Sequence, residues 1–104
     1  MASVNPIILP QLKNILIKLS SMGRERALEV GCGEGHVTKE VLSKLFYEID
    51  LFDPSPVAIE LVKALKVDYP KINRVELSKM ENFAWDATWN CIVFRYVFGY
   101  PEND

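Results

Sequence analysis

Apolar positions recur with two different periods along this chain. Leu9, Leu12, Ile15, Leu16 and Leu19 follow one another at helical spacing around Pro10, which predicts an amphipathic helix over 10–22 that stops near Met22-Gly23. Arg26 to Val30 is a short apolar run ending in glycines, the pattern of a buried strand. Val37, Val41, Leu42 and Leu45 return to helical spacing and predict a second helix from about Gly35 to Phe46. Glu48 to Phe52 alternates in part and predicts a second strand. Ser55-Pro56 suits a helix start, because serine can accept a backbone hydrogen bond as N-cap and proline fits the first turn. Val57, Leu61, Val62 and Leu65 are the expected apolar face of that third helix, with Pro70 beyond its end. Residues 72–77 predict a less apolar third strand, and Met80 to Thr88 a loop or short helical turn. Cys91 to Phe98 is a strongly apolar fourth strand, stopped by Gly99 and Pro101.

Strands alternating with helices imply right-handed crossovers and a parallel sheet, so the expected class is α/β. A parallel strand covered on both faces is apolar throughout, which makes Phe94 and Phe98 core positions. Residues 1–25 form the N-terminal helical part, and 26–104 the strand-bearing part of one domain.

Composition narrows the function classes. The 104 residues are 49% hydrophobic and 25% charged, with a net charge of −2. That is an ordinary globular balance without a Lys/Arg run, so no nucleic-acid footprint is expected. No apolar stretch approaches the ~20 residues of a membrane helix, and Pro6 and Pro10 break up the only N-terminal candidate, Ile7-Ile8-Leu9. Cys32 and Cys91 are too few for a disulfide framework and read as reduced thiols of an intracellular protein, cytoplasmic or nuclear. Cys32 is either a small residue filling a tight turn or a thiol activated near a helix N-terminus. The first reading is preferred, since no base stands beside it in sequence.

The candidate chemistry lies between the first strand and the second helix, in Glu29-Val30-Gly31-Cys32-Gly33-Glu34-Gly35. Ligands of open α/β sheets bind outside the carboxyl ends of the strands. Gly31, Gly33 and Gly35 would let the backbone approach a ligand that any Cβ would block. The helix start behind them offers free N–H groups to an anion. Asp53, closing the second strand, can accept both hydroxyls of an adenosine ribose, or it is a turn residue ahead of Pro54. The spacing G-x-G-x-G, with His36 where a dinucleotide site carries its third glycine, favours S-adenosylmethionine (SAM) over a dinucleotide.

The stretch from Arg26 to Lys39, Arg-Ala-Leu-Glu-Val-Gly-Cys-Gly-Glu-Gly-His-Val-Thr-Lys, followed by Leu45-Phe46 and Ile49-Asp-Leu-Phe-Asp53, resembles the protein N-terminal α-amine methyltransferases. Met80-Glu-Asn-Phe83 is similar to that family's segment lying over the adenine, so the resemblance places Met80 and Glu81 beside the cofactor's base. Trp89 to Tyr100 resembles its fourth strand and the start of its substrate channel. The resemblance implies a Rossmann-like fold, SAM as cofactor and a peptide N-terminus as substrate. It covers about four of the family's seven strands, in the expected order 3-2-1-4, which leaves the fourth strand (Cys91 to Phe98) as an apolar edge for a protein partner or self-association.

Four positions depart from the family pattern. His36 stands where the family has an arginine that pairs with the SAM carboxylate, and it reads equally as that ligand's replacement or as a surface helix residue. Losing that charge-assisted bond would weaken SAM binding by roughly 1–3 kcal/mol. Asn90 replaces the acid that opens the fourth strand, while Arg95 and Tyr96 replace a glutamine and a tryptophan within it. Tyr100 occupies the position of the histidine that helps deprotonate the substrate amine, and an ordinary tyrosine, with pKa near 10, does not titrate in the useful range. No catalytic residue is assigned on this reading. The alternatives are a structural subunit that kept the fold and lost the reaction, a small-molecule SAM methyltransferase, and, least favoured by the glycine spacing, a dinucleotide-binding module.

Overall fold

A computed structural model describes residues 14, 17, 18, 21 and 23–94. Positions 14, 17 and 18 are helical, and the remainder of the expected 10–22 helix lies outside the described residues. So do Arg95, Tyr96, Phe98 and Tyr100.

Four strands form one sheet in the order β3-β2-β1-β4, and every neighbouring pair is parallel. They are β1 (Arg26–Val30), β2 (Glu48–Asp53), β3 (Ile72–Leu77) and β4 (Cys91–Phe94). Between β1 and β2 the chain makes a wide-turned π-helix, Thr38–Leu42, that continues as the short helix α1 (Ser43–Leu45). α2 (Pro56–Leu65) joins β2 to β3 and starts as the sequence predicts: the Ser55 hydroxyl accepts from the Ala58 N–H, with Pro56 in the first turn. A single 3₁₀ turn, Met80–Asn82, and an irregular loop connect β3 to β4.

The two faces of the sheet are held by different means. On one face Ala27, Ile49, Leu51, Ile72, Cys91 and Val93 pack against Val37, Val41, Leu42, Phe46, Ile59 and Val62. Each large side chain buried here contributes roughly 1.5–3 kcal/mol. The apolar face of α2 differs from the expected one. Ala58, Ile59 and Val62 are its buried residues, whereas Val57 (70% exposed) and Leu61 (48%) lie on the solvent side. The helix rests on the sheet through a stripe of Ile59, Val62 and Leu65, so Val57 and Leu61 fall on its shoulder.

The other face has a second cluster, Leu28, Val30, Phe52 and Phe83, with Trp89 and Phe94 packed against it. Its cover comes from the irregular loop. Phe83 stacks on Phe52 at 4.0 Å between ring centroids, and Trp85 meets both rings edge-on at 5.9 and 5.1 Å. Edge-on and offset-stacked rings are the favoured arrangements of aromatic quadrupoles.

Beneath this cover Asp50 is buried in the middle of β2. Its Oδ2 accepts from Arg26 Nη2 at 2.7 Å and from Trp89 Nε1 at 2.8 Å. Its Oδ1 accepts from the Arg74 N–H at 3.1 Å and Asn73 Nδ2 at 3.4 Å. The Arg74 N–H needs this acceptor because β2 and β3 slip register between Ile49/Leu51, which takes that amide out of the ladder. Asp50 thus joins β1, β3 and the loop. Asp50→Ala should lower unfolding free energy by about 3 kcal/mol, because it strands the Arg26 guanidinium and three other donors. Urea denaturation checks this, and Asp50→Asn, which keeps an acceptor, should lose less.

Gly35 shapes the other face. Its φ is +80°, and a Cβ there would lie 2.9 Å from Leu65 Cδ2. The absent side chain lets α2 close on the π-helix. Gly35→Ala should cost roughly 1–2 kcal/mol from backbone conformation alone, and more if Leu65 does not yield, read as a lower urea midpoint with an unchanged slope.

Candidate functional site

The carboxyl ends of β1 and β2 carry the site that the sequence singles out. After Val30 the loop begins as an extension of the sheet: the Gly31 and Cys32 N–H groups both donate to the Phe52 carbonyl, at 2.9 and 3.2 Å. Gly31, Gly33 and Gly35 all adopt positive φ, at 71°, 55° and 80°. The loop then closes through the Gly35 N–H on the Cys32 carbonyl at 2.9 Å.

Two carboxylates hold this loop in place. The Gly33 N–H donates to Asp53 Oδ2 at 2.8 Å, so the acid closing β2 grips the glycine loop after β1. Asp53 Oδ1 also accepts from the Ser55 N–H at 2.8 Å, which turns the chain into α2. The structure therefore shows the turn role directly and places the same carboxylate against the candidate ligand loop. Asp53 itself has no exposed surface.

The second acid is Glu29, one residue from the end of β1 and fully buried. Its Oε1 accepts from the Thr38 hydroxyl at 2.8 Å and the Thr38 N–H at 3.2 Å. A strand carboxylate thus serves an amide near the start of the next helix, where the helix dipole favours negative charge. The Thr38 carbonyl in turn accepts from the Ser43 N–H five residues on, the wide-turn pattern of the π-helix. The sequence reading assigned no role to Glu29, Thr38 or Asp50. The one available signal was an acid inside an otherwise apolar strand.

The remaining site residues are less tightly gathered. His36 is exposed at the start of the helix. Met80 and Glu81 form the exposed 3₁₀ turn that follows β3. They leave the sheet at the same end as Asp53, whose carbonyl accepts from the Ser78 N–H at 3.0 Å. A cleft of about 420 Å³ opens there, with Pro54 on one side and Leu77, Ser78, Lys79 and Asn82 on the other. A larger cavity, about 570 Å³, lies at the opposite, amino end of the strands, beside Tyr47, Lys66 and Lys71. Its position is wrong for a ligand of this architecture. Tyr100 lies outside the described residues.

Other side chains have structural roles. Asn90 Oδ1 accepts from the Arg26 N–H and the Asn90 N–H donates to the Arg26 carbonyl, both at 2.8 Å, which fastens the start of β4 to β1. Cys32 is fully buried, the behaviour of a small residue filling a turn. Burial pushes the Cys91 thiol up, away from the reactive thiolate. Among the described residues no cluster of three or more His, Cys, Asp or Glu could hold a metal ion, and no helix is long and apolar enough to cross a membrane.

This arrangement recurs in known proteins. A SAM-dependent methyltransferase from Leishmania major is 29% identical and superposes with a TM-score of 0.75 over 83% of this chain and 35% of its own. The YcgJ protein of Bacillus subtilis is 21% identical, with a TM-score of 0.68 over 84% of this chain and 38% of its own. CalS10, an amino pentose methyltransferase from Micromonospora echinaspora solved with SAM bound, is 20% identical, with a TM-score of 0.63 over 83% and 34%. The chain thus spans little more than a third of these proteins' lengths and has the fold of their corresponding part. No curated protein sequence matches it significantly. A methyltransferase-domain family model matches residues 10–103, nearly the whole chain, and the chain belongs to that family.

Proposed function

We propose that this chain binds SAM and forms the cofactor-holding part of a methyltransferase directed at protein N-terminal α-amines. The observation that carries the cofactor half is the Gly33 N–H bond to Asp53. It brings three positive-φ glycines and the acid of the next strand to one place at the carboxyl end of the sheet. The residues present fit the group. Gly31, Gly33 and Gly35 would hold the methionine part against backbone N–H groups. Asp53, shielded here with its two oxygens on Gly33 and Ser55, would take the ribose hydroxyls once uncovered, and Met80 with Glu81 would flank the adenine. The cleft between Pro54 and Leu77 lies on that side. When bound, SAM supplies an electrophilic methyl group on its sulfonium, and the protein supplies positioning.

The substrate half of the proposal rests on the resemblance of Arg26–Lys39 and of the strand from Trp89. A protonated amine is not a nucleophile, so transfer needs a base beside the substrate nitrogen. Tyr100 stands where the resemblance expects that base. On this reading the chain by itself holds the cofactor and transfers methyl groups poorly, and β4, an edge of the sheet, takes its next strand from a protein partner. A second reading, a scaffold that kept the fold without the cofactor, is favoured by the complete shielding of Asp53.

Thermal melting with S-adenosylhomocysteine separates the two. At 100 times Kd a ligand of the folded state adds about 2.7 kcal/mol, which raises Tm by at least ~10 °C for a domain of this size. Asp53→Asn should remove most of that rise. No rise at millimolar ligand would leave the scaffold reading. His36→Arg should tighten binding by about tenfold if His36 faces the cofactor carboxylate, since a charge-assisted bond is restored. An unchanged Kd would make it a surface residue.

A further inference from the structure

Arg74, on β3, reaches across to the loop that carries the Met80–Asn82 turn. Its Nε donates to the Glu76 carboxylate, Nη1 to Asp86 Oδ1 at 2.9 Å and Nη2 to the Ala84 carbonyl at 3.3 Å. The guanidinium also lies over the Phe83 ring, 4.7 Å from its centroid. One planar fork thus holds residues 83, 84 and 86 at once, which a lysine ammonium does not do. Trp85 stands between these contacts, and its Nε1 donates to the Met80 carbonyl at 3.4 Å. Contacts therefore run without a break from Arg74 through residues 83–86 to the Met80 turn. From 83 to 90 the loop has no helix or strand of its own. Its other anchors are the Phe83 stack on Phe52 and the Trp89 bond to Asp50.

We infer that Arg74 is a positioning residue for the cofactor's adenine, holding the Met80–Asn82 turn at the mouth of the site. This rests on the cofactor reading above. The ion pairs involved are partly exposed, and Asp86 is well exposed, at 64% of its side chain. Such pairs add little to global stability, so their effect is on where the loop sits. The hydrogen bond from Arg74 holds the Asp86 carboxyl below the usual carboxylate range. The contact is accordingly intact at neutral pH and is lost only as pH falls through that lowered carboxylate range.

The test uses Arg74→Met, Arg74→Lys and Asp86→Asn in the full chain. The two tryptophans, Trp85 and Trp89, both lie in this loop. Acrylamide quenching of their fluorescence without ligand should rise in Arg74→Met and in Asp86→Asn, with Tm nearly unchanged in Asp86→Asn. Affinity for S-adenosylhomocysteine and for adenosine should fall about fivefold, the scale of one net hydrogen bond. Arg74→Lys should fail to restore it. Unchanged quenching in both Arg74→Met and Asp86→Asn overturns the clamp. Increased quenching with unchanged affinity for both ligands overturns the positioning role while leaving the cofactor reading intact. Absence of binding by the wild-type chain overturns the cofactor reading itself, and the quenching still reports on the clamp.

Discussion

Three carboxylates, Glu29, Asp50 and Asp53, lie in the two central strands with 0%, 1% and 0% of their surface exposed. Removing an ion from water costs several kcal/mol unless donors replace the solvent. The chain is therefore obliged to bring donors to three fixed points on β1 and β2. Glu29 draws in Thr38 and with it the first turns of the following helix. Asp53 draws in Gly33 and Ser55, and so fixes both the glycine loop and the start of α2. Asp50 draws in Arg26, Trp89 and the backbone of Arg74, tying β1, β3 and the loop ahead of β4. Helix, loop and sheet edge are placed by the needs of these charges as much as by apolar contact.

The division between the two faces follows from this. Glu29 and Asp53 meet their donors at the carboxyl ends of their strands, and the rest of the helix-covered face is apolar packing. Asp50 sits mid-strand on the opposite face, where among the described residues no helix supplies the cover. There an aromatic loop replaces it, and two cations sit against its rings: Arg26 over Trp89 at 5.8 Å and Arg74 over Phe83 at 4.7 Å. An irregular loop can keep one shape over a sheet when its large rings are stacked and its polar groups are individually tied.

Strand positions and the parallel sheet were legible because they rest on local period and on the crossover rule, whereas the 3-2-1-4 order was legible only through the family resemblance. The α2 start was legible because Ser55 and Pro56 act on their immediate neighbours. The buried face of α2 was misread because Val57 and Leu61 were counted into it and Ile59, which packs with Val62 against the sheet, was not. Asp50 was illegible for a different reason: its partners Arg26 and Trp89 lie 24 and 39 residues away in sequence. Asp53 falls between these cases. An acid at a strand end after a glycine loop is a recognisable pattern. Its shielding, and its bond to Gly33, exist only once the strands are side by side.

Holding a cofactor and turning it over make different demands on a sequence. The cradle proposed for SAM consists mostly of backbone N–H groups, glycine conformations and one strand-end acid. Backbone donors survive almost any side-chain substitution, and the glycines and Asp53 are also needed for the fold, through the turns at Gly31–Gly35 and Ser55. On the proposed reading the groups specific to the reaction are single side chains: a cationic fork expected at position 36 and a base expected at position 100. His36 is exposed and belongs to neither apolar cluster, so that position can change at little cost to folding. On that reading His36 is a change of this kind. A methyltransferase domain can therefore lose its fork and keep its sheet, its glycine loop and the geometry that a cofactor would recognise.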